Sequence, residues 1–241
     1  MAARPWATAK VSHRWRPHGR PGWTAGPRAV NLGFSREDQQ CSSSIIPPAV
    51  ARSRRISPCR KPAPRIDFKS NQQNSAEYLA INPKGRVPAL VTDRGILTET
   101  PAMLAFIAQS FPQAKLAPLD DPFAFAQVQA FNSYLCSTVH VAHAHKGRGA
   151  RWATDEASFA DMKRKVPESV GACFALIERG MLKGPWVMGE QYTICDPYLF
   201  TLSGWLEGDG VDLSTLPKVA DHRQRMSERP AVQKVLADET S

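Results

Sequence analysis

Asn82-Pro83-Lys84-Gly85-Arg86-Val87-Pro88-Ala89-Leu90-Val91-Thr92-Asp93-Arg94-Gly95-Ile96-Leu97-Thr98-Glu99-Thr100-Pro101-Ala102-Met103-Leu104-Ala105-Phe106-Ile107-Ala108-Gln109-Ser110-Phe111 reads as loop, strand, tight turn, strand and helix. Val87-Pro88 opens the first strand, because a proline donates nothing to a sheet ladder and belongs at an edge or a bend ahead of the pairing. Ala89-Leu90-Val91 can then be buried. Asp93-Arg94-Gly95 has the composition of a hairpin loop, with glycine where a positive φ is needed, and Ile96-Leu97 forms the return strand. Thr98-Glu99-Thr100-Pro101 places a hydroxyl residue before a proline, a helix-start signal. Met103, Leu104, Phe106 and Ile107 recur at helical spacing and would pack the helix on the sheet. By spacing alone this is a ββα unit with a capped helix, and that reading needs no ligand.

Working outward, Ser75 to Leu79 can form a short helix leading into Asn82-Pro83. Phe111-Pro112 ends the helix of the quoted stretch, and Gln113 to Asp121 is a linker punctuated by Pro118 and Pro122. A second domain starts there. Phe123, Val128, Phe131, Leu135 and Val139 predict one long helix to His145, and Met162, Val166, Val170, Phe174 and Ile177 predict another over Asp155 to Met181. Pro167 should kink or break the second of these. Thr193-Ile194-Cys195-Asp196 has capping-box spacing for a helix running through Pro197, Tyr198, Leu199, Phe200 and Leu202, with Trp205 and Leu206 at its end. Loss of Thr193 should cost about 1 kcal/mol.

The chain of 241 residues carries a net charge of +9, which would suggest nucleic acid were it evenly spread. Residues 1–65 hold 13 Lys+Arg against 2 Asp+Glu, or +11, and the remainder holds 18 against 20, or −2. The basicity therefore belongs to one proline-rich end, and no nucleic-acid partner is expected. No run of 18 apolar residues is present, so no membrane span is expected, and no signal-type apolar core follows the basic start. The five cysteines, Cys41, Cys59, Cys136, Cys173 and Cys195, lack metal or disulfide spacing, which favours a reducing cytoplasm. His140, His143 and His145 invite a metal, but on a regular helix His145 points away from the other two, so no metal is expected. Lys146, Arg148 and Arg151 read as a solvated basic edge.

The Pro88 stretch, with Thr98-Glu99-Thr100, resembles the glutathione-binding half of the cytosolic glutathione S-transferases. Tyr192-Thr193-Ile194-Cys195-Asp196-Pro197-Tyr198 resembles the capped core helix of their second domain, and Arg229-Pro230-Ala231-Val232 their last helices. The bacterial beta class is the nearest pattern, and the resemblance covers Arg65 to Glu239. It implies a thioredoxin-like α/β domain followed by an all-helical domain. It implies that the Val87 backbone meets the cysteine of glutathione beside a cis Pro88, and that Glu99 and Thr100 grip its γ-glutamyl end. A carboxylate ligand suits the free N–H groups of a helix start, and Glu99 suits an ammonium. By the same analogy Lys69 approaches the glycine end. His140 lines the acceptor pocket as a tentative catalytic hydrogen-bond donor, and Ser133 and Asn132 are weaker candidates on the same helix. The co-substrate would be glutathione, the acceptor an apolar electrophile, and the assembly a homodimer.

The resemblance also implies a strand, helix and strand before Arg65-Ile66-Asp67-Phe68, including the loop that bears the nucleophile, and residues 1–64 do not read that way. Read one base out of register, codons for Ser44 to Pro62 permit Y-Y-S-P-G-G-C-S-L-A-A-H-I-A-L-S-E-A-G, which is similar to a beta-class N-terminus. On this reading residues 1–40 are translated upstream sequence, 41–64 are frameshifted, and the frame resumes near Arg65. The competing reading is a genuine basic tail for acidic partners. Neither Cys41 nor Cys59 reads as a nucleophile. The expected organisation is an atypical basic segment over 1–64, a partial thioredoxin-like domain over 65–112 with an uncovered sheet edge, and a helical domain over 122–239. The expected activity is conjugation of glutathione to an electrophile, impaired by loss of the nucleophile loop. The alternatives are a glutathione-dependent thiol-disulfide enzyme and a non-catalytic transferase-fold binding module.

Overall fold

The computed structural model describes residues 71–92 and 94–240. Ser75 starts the first helix, α1 (Ala76–Ile81), by accepting the Tyr78 N–H on its hydroxyl. The chain then turns through Gly85, at φ 58°, into β1 (Ala89–Thr92), which pairs antiparallel with β2 (Gly95–Thr98) in the register Ala89 to Thr98 and Thr92 to Gly95. Gly95 takes φ 132°, so the hairpin uses glycine's freedom where the sequence placed it. Asp93 lies outside the described residues. β1 is half-buried, and β2 is exposed at Gly95 and Ile96 and half-buried at Leu97 and Thr98.

The next helix, α2 (Thr100–Ser110), buries Met103, Leu104, Ile107 and Ala108, while Phe106 stays half-buried. One detail differs from the sequence reading: Glu99, not Thr100, is the residue ahead of the helix, and its side chain makes no cap bond. Leu104, Ile107 and Ala108 share one apolar cluster with Val128, Phe131, Leu135, Val170, Phe174 and Leu199, so α2 is sealed by the helices that follow. The Ile194 N–H donates to Leu116 carbonyl (2.9 Å), which ties the linker to the same core.

Asp121 opens α3 (Pro122–Tyr134) by accepting the Phe123 and Ala124 N–H groups (2.9 and 3.0 Å), with proline at the position where a missing N–H costs nothing. Val128, Phe131, Leu135 and Val139 are buried as expected, but Phe123 is 75% exposed. Five positions separate it from Val128, which on a helix is about 140° away. The long helix is also interrupted. Leu135–Val139 winds as a wider π turn before α4 (His140–Ala144), and a short 3₁₀ turn, Gly149–Arg151, follows.

Helix α5 (Glu156–Leu176) runs through Pro167 without a break. An interior proline costs about 3 kcal/mol, while each buried side chain of the stripe Val166, Val170, Cys173, Phe174 contributes about 1.5–3 kcal/mol, so burial prevails. The Pro167 ring lies where a Cβ on Gly210 would come within 3.2 Å. A second π turn, Ile177–Met181, ends this helix, and α6 (Cys195–Ser203), α7 (Pro217–Ser227) and α8 (Pro230–Thr240) complete the described chain.

The start of α6 is more elaborate than a capping box. Asp196, wholly buried, accepts the Thr193 N–H at 2.6 Å and the Thr193 hydroxyl at 3.2 Å on Oδ2. Its Oδ1 accepts the Val187 N–H at 2.8 Å and faces His222 Nε2 at 3.0 Å. Thr193 Oγ1 takes the N–H of Cys195, not that of Asp196. No helix among the described residues is long and apolar enough to cross a membrane.

Candidate functional site

The turn before β1 is fixed from beneath. Tyr78 and Asn82, both buried, donate from Oη (2.7 Å) and Nδ2 (2.5 Å) to the Arg86 carbonyl. Arg86 and Val87 are thereby held outward at the surface, and the Val87–Pro88 bond that follows is cis.

Beside this turn the chain enters α2 through Glu99 at φ 72° and ψ 117°, a conformation that a residue with a side chain adopts only when its surroundings impose it. Lys84 pairs with Glu99 Oε1 and also donates to Thr98 Oγ1 (2.9 Å), and Oε2 has no partner among the described residues. Among the first helical amides, Met103 is the first to bond back, to the Glu99 carbonyl at 3.0 Å. The Thr100 and Ala102 N–H groups thus face outward at the positive end of an eleven-residue helix, a fitting seat for a carboxylate.

The helical domain supplies the opposite wall. Burial, then the Glu99 charge, pushes the Cys136 thiol upward; burial also raises the Tyr198 hydroxyl, an effect that Thr100 eases. Glu99 and Thr100 therefore look across to the π turn and to α6. His140 is exposed by area, yet its packing removes enough water to lower its pKa, and the charges of His143, Arg148, Arg151 and Arg86 lower it further. Its ring meets Trp205 edge-on (centroids 5.3 Å), and His143 stacks on the Trp205 ring at 4.3 Å. His143 is in turn held by buried Asp209, Nδ1 to Oδ2 2.6 Å, and Asp209 Oδ1 takes Lys146 at 3.2 Å.

Of the residues read from sequence, Val87, Pro88, Glu99 and Thr100 come together, and His140 stands on the facing helix. Ser133 is exposed two residues before the π segment, its carbonyl taken by Ser137 Oγ at 2.7 Å. Asn132 is wholly buried, so it is a core residue with no open face, and both its side-chain polar atoms lack partners among the described residues. Lys69 lies outside the described residues, as do Cys41, Cys59 and residues 1–70 generally. His145 turns away from the other two histidines and stacks on Trp152 at 4.3 Å. Among the described residues no group of three or more His, Cys, Asp or Glu could hold a metal. Sequence reasoning missed Arg86, Lys84 and Trp205. Lys84 and Arg86 had a signal, since they flank the Pro88 turn; Trp205 had none, because it lies 65 positions from His140.

Residues 64–109 match a family model described as "Glutathione S-transferase, N-terminal domain". The chain is 32% identical to glutathione S-transferase GstA of Escherichia coli O157:H7, over 71% of this chain and 83% of that protein. It is 28% identical to maleylacetoacetate isomerase of Pseudomonas aeruginosa, over 59% and 66%. Among solved structures it is similar to a glutathione transferase homologue from Sulfitobacter with bound glutathione, at 48% identity and TM-score 0.71, over 74% of this chain and 86% of that one. A bacterial beta-class glutathione S-transferase from Sphingomonas chungbukensis is similar at 30% identity and TM-score 0.59, over 67% and 78%.

Proposed function

The chain belongs to the glutathione S-transferase family, a thioredoxin-like portion followed by a helical domain, and from that premise we propose that it conjugates glutathione to an electrophilic small molecule at the Pro88 turn. The observation that carries the reading is Glu99, set at positive φ against the start of α2 with Oε2 unpartnered among the described residues. Glu99 receives the γ-glutamyl ammonium, the Thr100 and Ala102 amides receive the adjoining carboxylate, and the Val87 main chain pairs with the cysteine of glutathione. His140, with its pKa lowered, is neutral at pH 7 and offers one N–H toward the thiol or the acceptor. Ser133 borders the same face, and Lys69 would meet the glycine end.

Residues 65–112 and 122–239 are taken as the two domains, working as a cytoplasmic homodimer, and 1–64 as the segment that displaces the family's nucleophile loop. The chain as written then conjugates slowly. The thiol-disulfide alternative is disfavoured by Cys136, Cys173 and Cys195, whose thiols are all pushed up by burial, Cys195 to about 12.

Retention on immobilised glutathione, followed by a chlorodinitrobenzene assay, tests the reading on this chain and on a version with the frame restored before Arg65. The frame-restored protein should be retained and should conjugate at least tenfold faster, and Glu99→Gln should raise its KM for glutathione about tenfold. A folded, frame-restored protein that passes unretained would leave the binding-module alternative.

A further inference from the structure

The turn that carries Lys84 is tied down. Buried Asn82 takes the Lys84 N–H on Oδ1 (3.3 Å) and the Gly85 N–H on its carbonyl (2.9 Å), and its Nδ2 donates to the Arg86 carbonyl alongside Tyr78 Oη. Gly85, at φ 58°, passes so near Asn74 that an added Cβ would lie 2.6 Å from Oδ1. The Lys84 stem therefore starts from a fixed point. Its ammonium meets acceptors on two consecutive residues, Thr98 Oγ1 (2.9 Å) and Glu99 Oε1, and Thr98 is itself placed by its pairing with Ala89.

The exposed pairs of Arg164 with Asp161, Lys165 with Glu168 and Arg225 with Asp221 each lie within one helix, three or four positions apart, and serve as a solvated surface. Lys84 and Glu99 are 15 positions apart, and their pair joins a turn to a helix entry at the residue held at φ 72°. The two side chains are 44% and 56% exposed, so the pair adds little to stability. What it sets is local charge. Lys84 cancels Glu99, and the site is left neutral, with an anion-favouring helix start on one side and the unpartnered Oε2 on the other. A lone ammonium on Oε2 would sit one carboxylate away from the Lys84 ammonium and be repelled by it. A lone carboxylate at the helix start would be accepted only while Lys84 masks Glu99.

We infer that Lys84 is a specificity-determining residue: by masking the Glu99 charge it makes the site select a zwitterion, the ammonium and carboxylate of a whole α-amino acid end together, over either charge alone. This rests on the conjugation reading above and deepens it, by naming what discriminates at the γ-glutamyl end.

Three tripeptides test it by displacement calorimetry under reductant and at low salt, on the full chain and on the frame-restored protein. They are glutathione, the form with glutaryl in place of γ-glutamyl, which keeps the carboxylate and lacks the ammonium, and the form with 4-aminobutanoyl, which keeps the ammonium and lacks the carboxylate. Glutathione should bind tightest, and the glutaryl form should bind better than the aminobutanoyl form. Lys84→Met should weaken the glutaryl form about fivefold and tighten the aminobutanoyl form about fivefold, which reverses their order, while Lys84→Arg should keep it. Added salt should shrink the reversal, and thermal melting should not move. An unchanged ratio of the two analogues in Lys84→Met overturns the inference while glutathione binding still upholds the conjugation reading. Equal weakening of all three ligands also overturns it, by reducing Lys84 to a support for the turn. If glutathione binds neither unsubstituted protein, the conjugation reading falls first and the inference with it.

Discussion

At Asp196 one carboxylate without solvent serves four partners, two backbone amides, a hydroxyl and the ring of His222. Asp196→Ala should strand those groups in the core and cost about 3–5 kcal/mol by urea unfolding, against about 1 kcal/mol for Thr193→Ala. The Thr193–Asp196 part was legible because it is local, three positions apart. The His222 and Val187 partners were not, since 26 and 9 positions of chain carry no spacing signal for them. His140 supports a second prediction. Its folded pKa lies below the ordinary 6.5, first by desolvation and then by its positive neighbours. The unfolded chain therefore binds this proton earlier as pH falls, so stability is untouched above about pH 6.5 and declines below it toward the lowered value. An NMR titration of the His140 ring should give a midpoint under 6.5, rising when Arg148 and Arg151 are made Gln. A midpoint at or above 6.5 would place the arginines too far away to matter.

At the scale of elements, the quoted stretch gave its strands, hairpin and helix from breakers and periodicity, and the cap at Asp121 was there to be read in Asp-Pro. The exposed Phe123 shows how apolar count can mislead when phase is not checked. Pro167 was expected to kink or break α5 because local cost is visible in sequence, and the helix is unbroken because the burial that offsets that cost depends on neighbours far along the chain. The turn Gly149–Arg151 carries a prediction of its own. Gly149→Ala must move the Phe159 ring or the turn, since their separation admits no Cβ. A loss of about 1–3 kcal/mol should follow in thermal melts. An unshifted melt would mean that the ring yields freely.

For the molecule as a whole, the order of a thioredoxin-like portion before a helical one, and the clustering of Pro88, Glu99 and Thr100, were legible because motifs and resemblance are local. The facing wall was not: His140 could be placed only by likeness, and its neighbours Arg86 and Trp205 come from either end of a long chain path. The charge division, +11 over 1–65 against −2 beyond, fits a segment foreign to the rest. The π turn Leu135–Val139 bears on the length of the molecule itself. Such a turn holds one residue more than a regular helix needs, as a spare link taken up between two segments already in place. Removing Thr138, exposed at its surface, should let the winding tighten to the ordinary form without swinging Val139 and His140 out of position. The shortened protein should fold with the same circular dichroism and nearly the same melting point. The same excision in the middle of α5, where every turn is regular, should rotate the residues between it and the π turn Ile177–Met181 by about 100° and turn part of the buried stripe away from the core. The helical run from Pro122 to Ala144 thus has one place where a single-residue deletion leaves the architecture undisturbed.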